Sequence, residues 1–148
     1  MDIWQFTADH MKEMCEKEPE KAKNRAFYTG THDNNTLVGF LKERSGNSYM
    51  DYDHAESDSS EMGSTVEALA VIRKIYESPA VLAMLQVQDI LMLGEEARMN
   101  VPGVPEGNWK WKMPGSNVEE AFMDADQRLK WFRALAERTG RKESENGE

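Results

Sequence analysis

Along the chain, the spacing of hydrophobic residues changes repeatedly between the period of a β-strand and the period of an α-helix. This alternation of strand and helix patterns predicts an α/β fold. Residues 1–6 alternate and predict a short strand, and residues 25–29 form a β-prone run that ends at Gly30. Residues 80–87 are nearly all apolar, which is typical of a strand buried on both faces of a parallel sheet. The order strand, helix, strand, helix, strand, helix indicates parallel strands.

The segments between the first strands have helical spacing. Residues 9–23 are charged and carry scattered apolar residues, so they predict a short surface helix and a loop, with a break at Pro19. The apolar residues at 37–41 predict a helix that begins after Thr36. Residues 45–63 are rich in Ser, Gly, Asn and Asp and predict a long loop.

Two further helices are predicted towards the end of the chain. Ser64 and Glu67 form a capping box, which predicts a helix from there to Ser78. Residues 88–93 predict one more helical turn, and the glycines and prolines of 101–115 predict a loop. A long helix is then expected from its cap at Asn117 to Gly140. Its predicted apolar face comprises Val118, Phe122, Ala125, Leu129, Phe132 and Ala136.

Composition and charge exclude several function classes. The 148 residues carry a formal net charge of -9 and no concentrated basic patch, which disfavours nucleic acid and anionic membranes as partners. The lone Cys15 cannot form an internal disulfide or a Cys-based metal site and suggests a reducing compartment. No segment reaches the about 18 apolar residues of a membrane span, and the first residues do not resemble a signal peptide. We therefore expect a cytoplasmic protein.

The segment 28–36 is the first candidate for a functional site. It reads Tyr-Thr-Gly-Thr-His-Asp-Asn-Asn-Thr and lies between a predicted strand and a predicted helix, where barrel enzymes place their catalytic residues. His32 and Asp33, flanked by Asn and Thr, offer donors and acceptors for sugar hydroxyls, and the carboxylate can stabilise positive charge. A polar cluster that only caps the following helix would have the same composition, and the residues alone leave both interpretations open.

A second candidate begins after the apolar strand. Residues 95–103 include Arg98 and Asn100, which can bind hydroxyls, and residues 107–112 include Trp109, whose ring can stack on a sugar. The tryptophans of this segment could instead cover the core, as most tryptophans do.

These segments carry a family resemblance. The runs Tyr-Thr-Gly-Thr-His-Asp-Asn-x-Thr, Gln-Asp-Ile-Leu-x-Leu-Gly-Glu-Glu-Ala-Arg-Met-Asn-Val-Pro-Gly and Gly-Asn-Trp-x-Trp, in that order, resemble the 4-alpha-glucanotransferase (amylomaltase) family of the α-amylase clan. The resemblance covers residues 1 to about 137. The segment 7–24 departs from it, because it lacks a Pro-His-Asn element associated with many amylomaltases.

The resemblance implies roles for individual residues. It makes Asp33 the carboxylate that binds the sugar at the cleavage point and stabilises its oxocarbenium-like state, with His32 bonded to the same ring. It places seven residues in substrate binding, namely Tyr28, His32, Asn34, Arg98, Asn100, Asn108 and Trp109. The resemblance implies an α-1,4-glucan or maltooligosaccharide substrate. It also implies a reaction that requires no cofactor or metal.

The resemblance also implies that the chain is part of a larger catalytic domain. A (β/α)8 barrel takes roughly 250 residues, so residues 1–140 would supply strands six to eight with their helices, and 141–148 would be a disordered polar tail. The nucleophile and general acid, ~5 to 5.5 Å apart in retaining enzymes, would lie on strands four and five, before Met1. We therefore expect a fragment that is inactive without an upstream polypeptide. A non-catalytic glucan-binding remnant and a small α/β interaction domain remain the alternatives.

Overall fold

The computed structural model describes residues 1–46, 61–115 and 118–141, and the chain divides into two compact units, Met1–Lys112 and Met113–Glu148. The first unit is an α/β structure, which confirms the predicted class. Its three strands form a parallel sheet in the order β1-β2-β3. The strands are β1 (Asp2–Ile3), β2 (Ala26–Tyr28) and β3 (Leu82–Met84).

The two faces of this sheet differ in burial. Phe27, in the central strand, is 1% exposed and lines a cavity with Trp4 and Ile75 of two neighbouring helices. Side chains alternate along a strand, so Leu82 and Met84 of β3 lie together on one face, and they are 51% and 42% exposed. One face of the sheet is therefore packed by helices, whereas β3 presents apolar side chains to solvent.

An ion pair ties the first strand to the start of the second. The Arg25 guanidinium donates two hydrogen bonds to the Asp2 carboxylate, with Nε 2.7 Å from Oδ2 and Nη2 2.8 Å from Oδ1. The hydrogen bond from Arg25 lowers the pKa of Asp2, although burial opposes the shift. This two-point contact fixes the short strand β1, which forms only two paired positions in the sheet.

The helices of the first unit pack mainly through α3 and α4. Their buried apolar residues recur at helical spacing and form a large part of the core: Leu37, Val38, Leu41, Ala68, Val71, Ile72 and Ile75. The helices are α1 (Trp4–Lys17), α2 (Pro19–Ala22), α3 (Leu37–Gly46), α4 (Glu61–Glu77) and α5 (Val87–Ile90), followed by a 3-10 turn (Glu95–Ala97).

Two of the predicted strands are too long. The strand predicted over 1–6 is wrong beyond Ile3, because residues 4–6 form the first turn of α1, which kinks at Thr7 (φ -129°). The strand predicted over 80–87 is reduced to Leu82–Met84, and Val87 begins α5. The prediction that this strand is buried on both faces is also wrong, since its apolar side chains lie on the solvent-exposed face.

The helix starts differ from the prediction in two places. The break at Pro19 is confirmed, but the residue also begins α2, because proline is well suited to the first position of a helix. The capping box at Ser64 is wrong, because α4 already begins at Glu61 and Ser64 is buried inside it at 1% exposure. Of the predicted loop over 45–63, residues 45–46 and 61–63 are helical, and 47–60 lie outside the described residues.

The second unit contains α6 (Val118–Phe122), a 3-10 turn (Met123–Ala125) and α7 (Asp126–Arg138). The long helix predicted here is therefore interrupted, and its predicted cap, Asn117, lies outside the described residues. The predicted end at Gly140 is confirmed. Gly140 has φ +67°, and the N–H groups of Gly140 and Arg141 donate to the carbonyls of Glu137 and Ala136, which is a Schellman motif.

The predicted apolar face of the second unit is confirmed only in part. Ala125 and Phe132 are buried, but Val118 and Leu129 are exposed, and the buried Leu135 was not predicted. Within the described parts of both units, no helix has the length and apolarity needed to cross a membrane.

We expect the exposed face of β3 to cause self-association of the 148-residue chain, because apolar side chains beside an unpaired strand edge favour intermolecular contact. Replacing Leu82 and Met84 together by Lys should shift sedimentation-velocity profiles at tens of micromolar towards monomer, with an unchanged circular dichroism spectrum. Val118→Lys, at an exposed apolar position in the second unit, is the control. A wild-type chain that is already a monodisperse monomer would contradict this expectation.

Candidate functional site

The carboxyl ends of the three strands meet at one edge of the sheet, because the strands are parallel. The residues that follow the strands are joined there by hydrogen bonds. Gln5, after β1, donates from Nε2 to the carbonyl oxygen of Asn35 at 2.9 Å, and Gln86, after β3, donates from Nε2 to the carbonyl oxygen of Thr31 at 2.7 Å. The segment after β2, residues 29–37, is thus held from both sides, and we call it the site loop.

Gly30 allows these two glutamines to approach the site loop closely. A Cβ atom at this position would lie 2.8 Å from Nε2 of Gln5 and 2.8 Å from Nε2 of Gln86. Both amide groups would have to shift, and with them the hydrogen bonds that they donate to the loop carbonyls. Glycine at position 30 therefore serves the close packing of the glutamines.

The carboxylate of Asp89, in α5, holds both ends of the site loop. Its Oδ2 accepts a hydrogen bond from Oγ1 of Thr29 at 2.6 Å, and its Oδ1 accepts one from the backbone N–H of Leu37 at 2.7 Å. The side chain of Thr36 accepts the N–H of Gly39 at 3.1 Å and so caps α3. Side chains thereby accept two of the first backbone donors of α3, the N–H groups of Leu37 and Gly39.

Asp89 is 1% exposed, and its burial raises the pKa of the carboxyl group. The hydrogen bonds from Thr29 and Leu37 lower the pKa of Asp89, but burial is the larger cause. The group is therefore a desolvated acceptor enclosed by donors.

Asp33 lies at the exposed tip of the site loop and contacts the segment after α5. Nδ2 of Asn100 donates to its Oδ1 at 2.6 Å, and the Arg98 guanidinium donates to its backbone carbonyl at 3.1 Å. Arg98 also donates from Nε to the carbonyl of Asn100 at 2.9 Å, which fixes the two partners to each other. The Asp33 side chain remains 50% exposed, so the carboxylate is oriented and still accessible.

His32 and Trp109 form the aromatic side of the same cluster. Nε2 of His32 lies 3.3 Å from Oδ1 of Asp33, and its ring centroid lies 5.2 Å from that of Trp109. Trp109 is 59% exposed and has φ +61°, a left-handed conformation that is strained for a residue with a side chain. Its N–H donates to the carbonyl of Met99 at 2.7 Å, which holds this conformation in place.

Asn108 folds the segment that carries Trp109. Its Oδ1 accepts the N–H of Val101 at 2.8 Å, and its Nδ2 donates to the carbonyl of Val104 at 2.8 Å. Its contacts therefore shape the loop that presents Trp109.

Comparison with known proteins gives the family. The family model described as 4-alpha-glucanotransferase, of glycoside hydrolase family 77, matches residues 1–118. The chain belongs to this family. Two curated 4-alpha-glucanotransferases are similar to it. The one from Streptococcus pneumoniae is 33% identical over 84% of this chain and 25% of its own length, and the one from Thermus thermophilus is 38% identical over 77% and 22%.

A solved structure extends the comparison to the fold. The amylomaltase from Streptococcus agalactiae, in complex with acarbose, superposes with a TM-score of 0.62 at 21% identity, over 95% of this chain and 27% of that chain. The predicted membership of the 4-alpha-glucanotransferase family is thus confirmed, and so is a likeness to amylomaltase in fold. The chain spans about a quarter of the length of these relatives.

Of the site residues predicted from the sequence, the structure brings five together in one exposed cluster, which we call the Asp33 cluster. Its members are His32, Asp33, Arg98, Asn100 and Trp109. The other predicted residues have different surroundings. Tyr28 is in β2, and Asn34 is buried, with its Oδ1 accepting both the N–H and the hydroxyl of Thr31 at 2.8 Å. A direct role in substrate binding stays a prediction for all of them.

The structure bears on whether the polar cluster only caps the following helix. The cap of α3 is made by Thr36 and Asp89, with the side chain of Asn35 accepting the N–H of Thr36. Asp33 and His32 instead contact each other and the segment 98–109. Helix capping therefore accounts for the end of the site loop and leaves its exposed tip unexplained.

Sequence reasoning missed the residues that hold the site loop, namely Gln5, Gln86 and Asp89. Gln5 and Gln86 were placed inside predicted strands, which hid their position after the strand ends. Asp89 follows β3 closely, as Asp33 follows β2. The equivalent positions of Asp33 and Asp89 could have identified Asp89 as a site residue, because polar residues that follow neighbouring parallel strands meet at one edge of the sheet.

The raised pKa of Asp89 predicts a pH dependence of stability. A carboxyl group whose pKa is higher in the folded chain than in the unfolded one contributes stability below its unfolded pKa, and this contribution is lost as the pH rises through the folded value. In urea unfolding from pH 4 to pH 8, Asp89→Asn should remove that decline, which amounts to about 1.4 kcal/mol per pKa unit. The exposed Asp9 provides a matched control, Asp9→Asn, which should retain the decline. Parallel profiles for wild type and Asp89→Asn would refute the assignment.

Proposed function

We propose that this chain supplies one edge of the active site of a 4-alpha-glucanotransferase. The enzyme would cleave an α-1,4-glucan or maltooligosaccharide, hold the donor segment as a glucosyl ester, and transfer it to the 4-hydroxyl of an acceptor glucan. The observation that carries the proposal is the Asp33 cluster, exposed at the carboxyl ends of parallel strands in a chain of this family.

The geometry of the cluster suits the recognition of a sugar that develops positive charge. The Asp33 carboxylate is an acceptor for vicinal hydroxyls and a negative charge opposite an oxocarbenium-like ring. The contacts of Asn100 and Arg98 orient it in advance, and such preorganisation is often the largest electrostatic contribution to catalysis. His32 provides a neighbouring donor, and the exposed ring of Trp109 can stack against an apolar sugar face.

The remaining parts of the catalytic machinery would come from the polypeptide that precedes the matched region in the relatives. The chain covers about a quarter of those proteins, and β3 leaves apolar side chains exposed beside a free strand edge. We propose that β1, β2 and β3 are strands six to eight of a (β/α)8 barrel and that the missing strands provide the nucleophile and general acid. The isolated chain would then be inactive. The proposed reaction requires no metal or cofactor, and we propose a cytoplasmic location.

A non-catalytic glucan-binding role is the second candidate. It is favoured by the contact between His32 and Trp109, both of which lie within the first unit of this chain. Binding of maltooligosaccharides without any transfer, even after the barrel is completed, would support it.

The role of Asp33 can be tested in a completed barrel. The chain would be fused to the part of the Streptococcus pneumoniae relative that precedes its matched quarter, and maltotriose disproportionation would be measured. We expect the fusion to be active and the isolated chain to be inactive. Asp33→Asn should lower kcat about 100-fold or more, because it removes a preorganised charge while keeping the size of the side chain.

The control for this experiment is Asp126→Asn, which removes an exposed carboxylate that pairs with Lys130 in α7. Both variants should keep the melting temperature of the fusion. Turnover close to that of the unmodified fusion in Asp33→Asn would contradict the catalytic role of Asp33.

A further inference from the structure

We propose that Asp89 is the positioning residue of this site, a buried acceptor that fixes where the site loop presents His32 and Asp33. The functional meaning of the site loop rests on the proposed function, whereas the hydrogen bonds to Asp89 are observed in the structure whatever that function is. One carboxylate in α5 receives a donor from each end of the loop: the hydroxyl of Thr29 at the exit of β2 and the N–H of Leu37 at the start of α3.

The two contacts fix both ends of the loop relative to one rigid group. The two oxygens of a carboxylate are coplanar and a fixed distance apart, so the donors at Thr29 and Leu37 cannot move independently while both bonds persist. Both bonds are short and buried, at 2.6 and 2.7 Å, where the loss of an acceptor leaves an unsatisfied donor. Both ends of the segment that joins β2 to α3 are therefore hydrogen-bonded to Asp89.

The same short helix also holds the middle of the loop. Gln86 precedes α5 and donates from its side chain to the carbonyl of Thr31, and its backbone carbonyl accepts the N–H of Asp89 at 3.0 Å. This backbone hydrogen bond in the first turn of α5 links the position of Gln86 to that of Asp89. Displacement of Asp89 should thus loosen the site loop at three points.

Asp89 itself is 1% exposed and enclosed by these donors, so it cannot touch substrate. Its effect must pass through the loop to Asp33, which is the role of a supporting residue behind a functional group. The competing view is that Asp89 only stabilises the core. The two views differ in whether a variant disturbs the Asp33 cluster selectively or the whole chain equally.

Two substitutions at position 89 show whether the site loop needs hydrogen-bonding groups there or only a side chain of this size. Asp89→Asn keeps an acceptor for Leu37 N–H and can donate to Oγ1 of Thr29, so it should preserve the loop. Asp89→Leu has a similar size but no polar atom, so it leaves both donors without a partner. Thr29→Val removes only one of the two contacts and serves as the milder variant if Asp89→Leu does not fold.

The experiment uses the 148-residue chain labelled with 5-fluorotryptophan and observed by fluorine NMR. The chain has four tryptophans, and Trp109→Phe assigns the resonance that reports on the Asp33 cluster, because its ring lies 5.2 Å from that of His32. Trp131, in α7 of the second unit, is the internal reference. Amide exchange at Leu37 is measured on the same variants.

We expect Asp89→Leu to shift or broaden the Trp109 resonance and to speed exchange at Leu37 by about tenfold or more, with Trp131 unchanged. Thr29→Val should show the same changes to a smaller extent, and Asp89→Asn should resemble wild type. The inference is overturned if Asp89→Leu, or Thr29→Val where Asp89→Leu does not fold, leaves Trp109 and Leu37 unchanged. It is equally overturned if the variants change Trp109 and Trp131 alike, since that reports general destabilisation.

A titration with maltoheptaose distinguishes a failure of this inference from a failure of the proposed function. If wild type binds, Asp89→Leu should weaken the affinity about tenfold or more, and Asp89→Asn should stay within about threefold of wild type. Equal affinities of wild type and a folded Asp89→Leu would overturn the positioning role. If wild type does not bind, the proposed function loses its support, and the Trp109 and Leu37 signals alone decide the inference.

Discussion

The site depends on a single requirement, that the chain must pass from the end of β2 into the start of α3 without leaving buried donors unsatisfied. The first N–H groups of a helix have no partner within the helix. Here the carboxylate of Asp89 accepts the N–H of Leu37 and the hydroxyl of Thr36 accepts that of Gly39. The same carboxylate accepts the hydroxyl of Thr29 at the end of β2. Because these buried contacts satisfy the loop ends, His32 and Asp33 are not needed to cap the helix and can face solvent.

The segment after α5 completes the site from the other side. Arg98 and Asn100 reach the backbone and the carboxylate of Asp33, and Asn108 folds the chain so that Trp109 returns beside His32. Trp109 adopts a left-handed conformation that costs about 1 kcal/mol or more for such a residue. The buried contacts thus fix the two ends of the site loop. A strained, hydrogen-bonded segment holds the Trp109 ring beside His32 at the exposed tip of the loop.

The sequence was sufficient to predict the α/β class and the family, because these depend on local periodicity and on contiguous motifs. It also named the residues that the structure brings together in the Asp33 cluster, whose role in substrate binding stays a prediction. It was insufficient for the strand lengths. Residues 1–6 alternate as a strand would, yet Trp4 packs edge-to-face on Phe40 with ring centroids 6.2 Å apart, and tertiary packing of this kind overrides a short local pattern. The apolar run at 80–87 suggested a strand buried on both faces, but Leu82 and Met84 are exposed.

The supporting residues were harder still to predict. Asp89 bonds to Thr29 across 60 positions of sequence and to Leu37 across 52, and no local pattern encodes such a pairing. Gln5 and Gln86 meet the same loop from the ends of two other strands. Only the parallel arrangement of the sheet brings these three side chains to one place.

The proposed role of the Asp33 cluster is that of a glucan-binding surface whose position is fixed by buried contacts. Mapping of backbone amide chemical shifts in the 148-residue chain during titration with acarbose tests this claim most directly. We expect saturable shifts confined to residues 30–34 and 98–109, with residues 126–138 of α7 unaffected. Saturable shifts centred elsewhere, or no shifts in the site loop at millimolar acarbose, would contradict it.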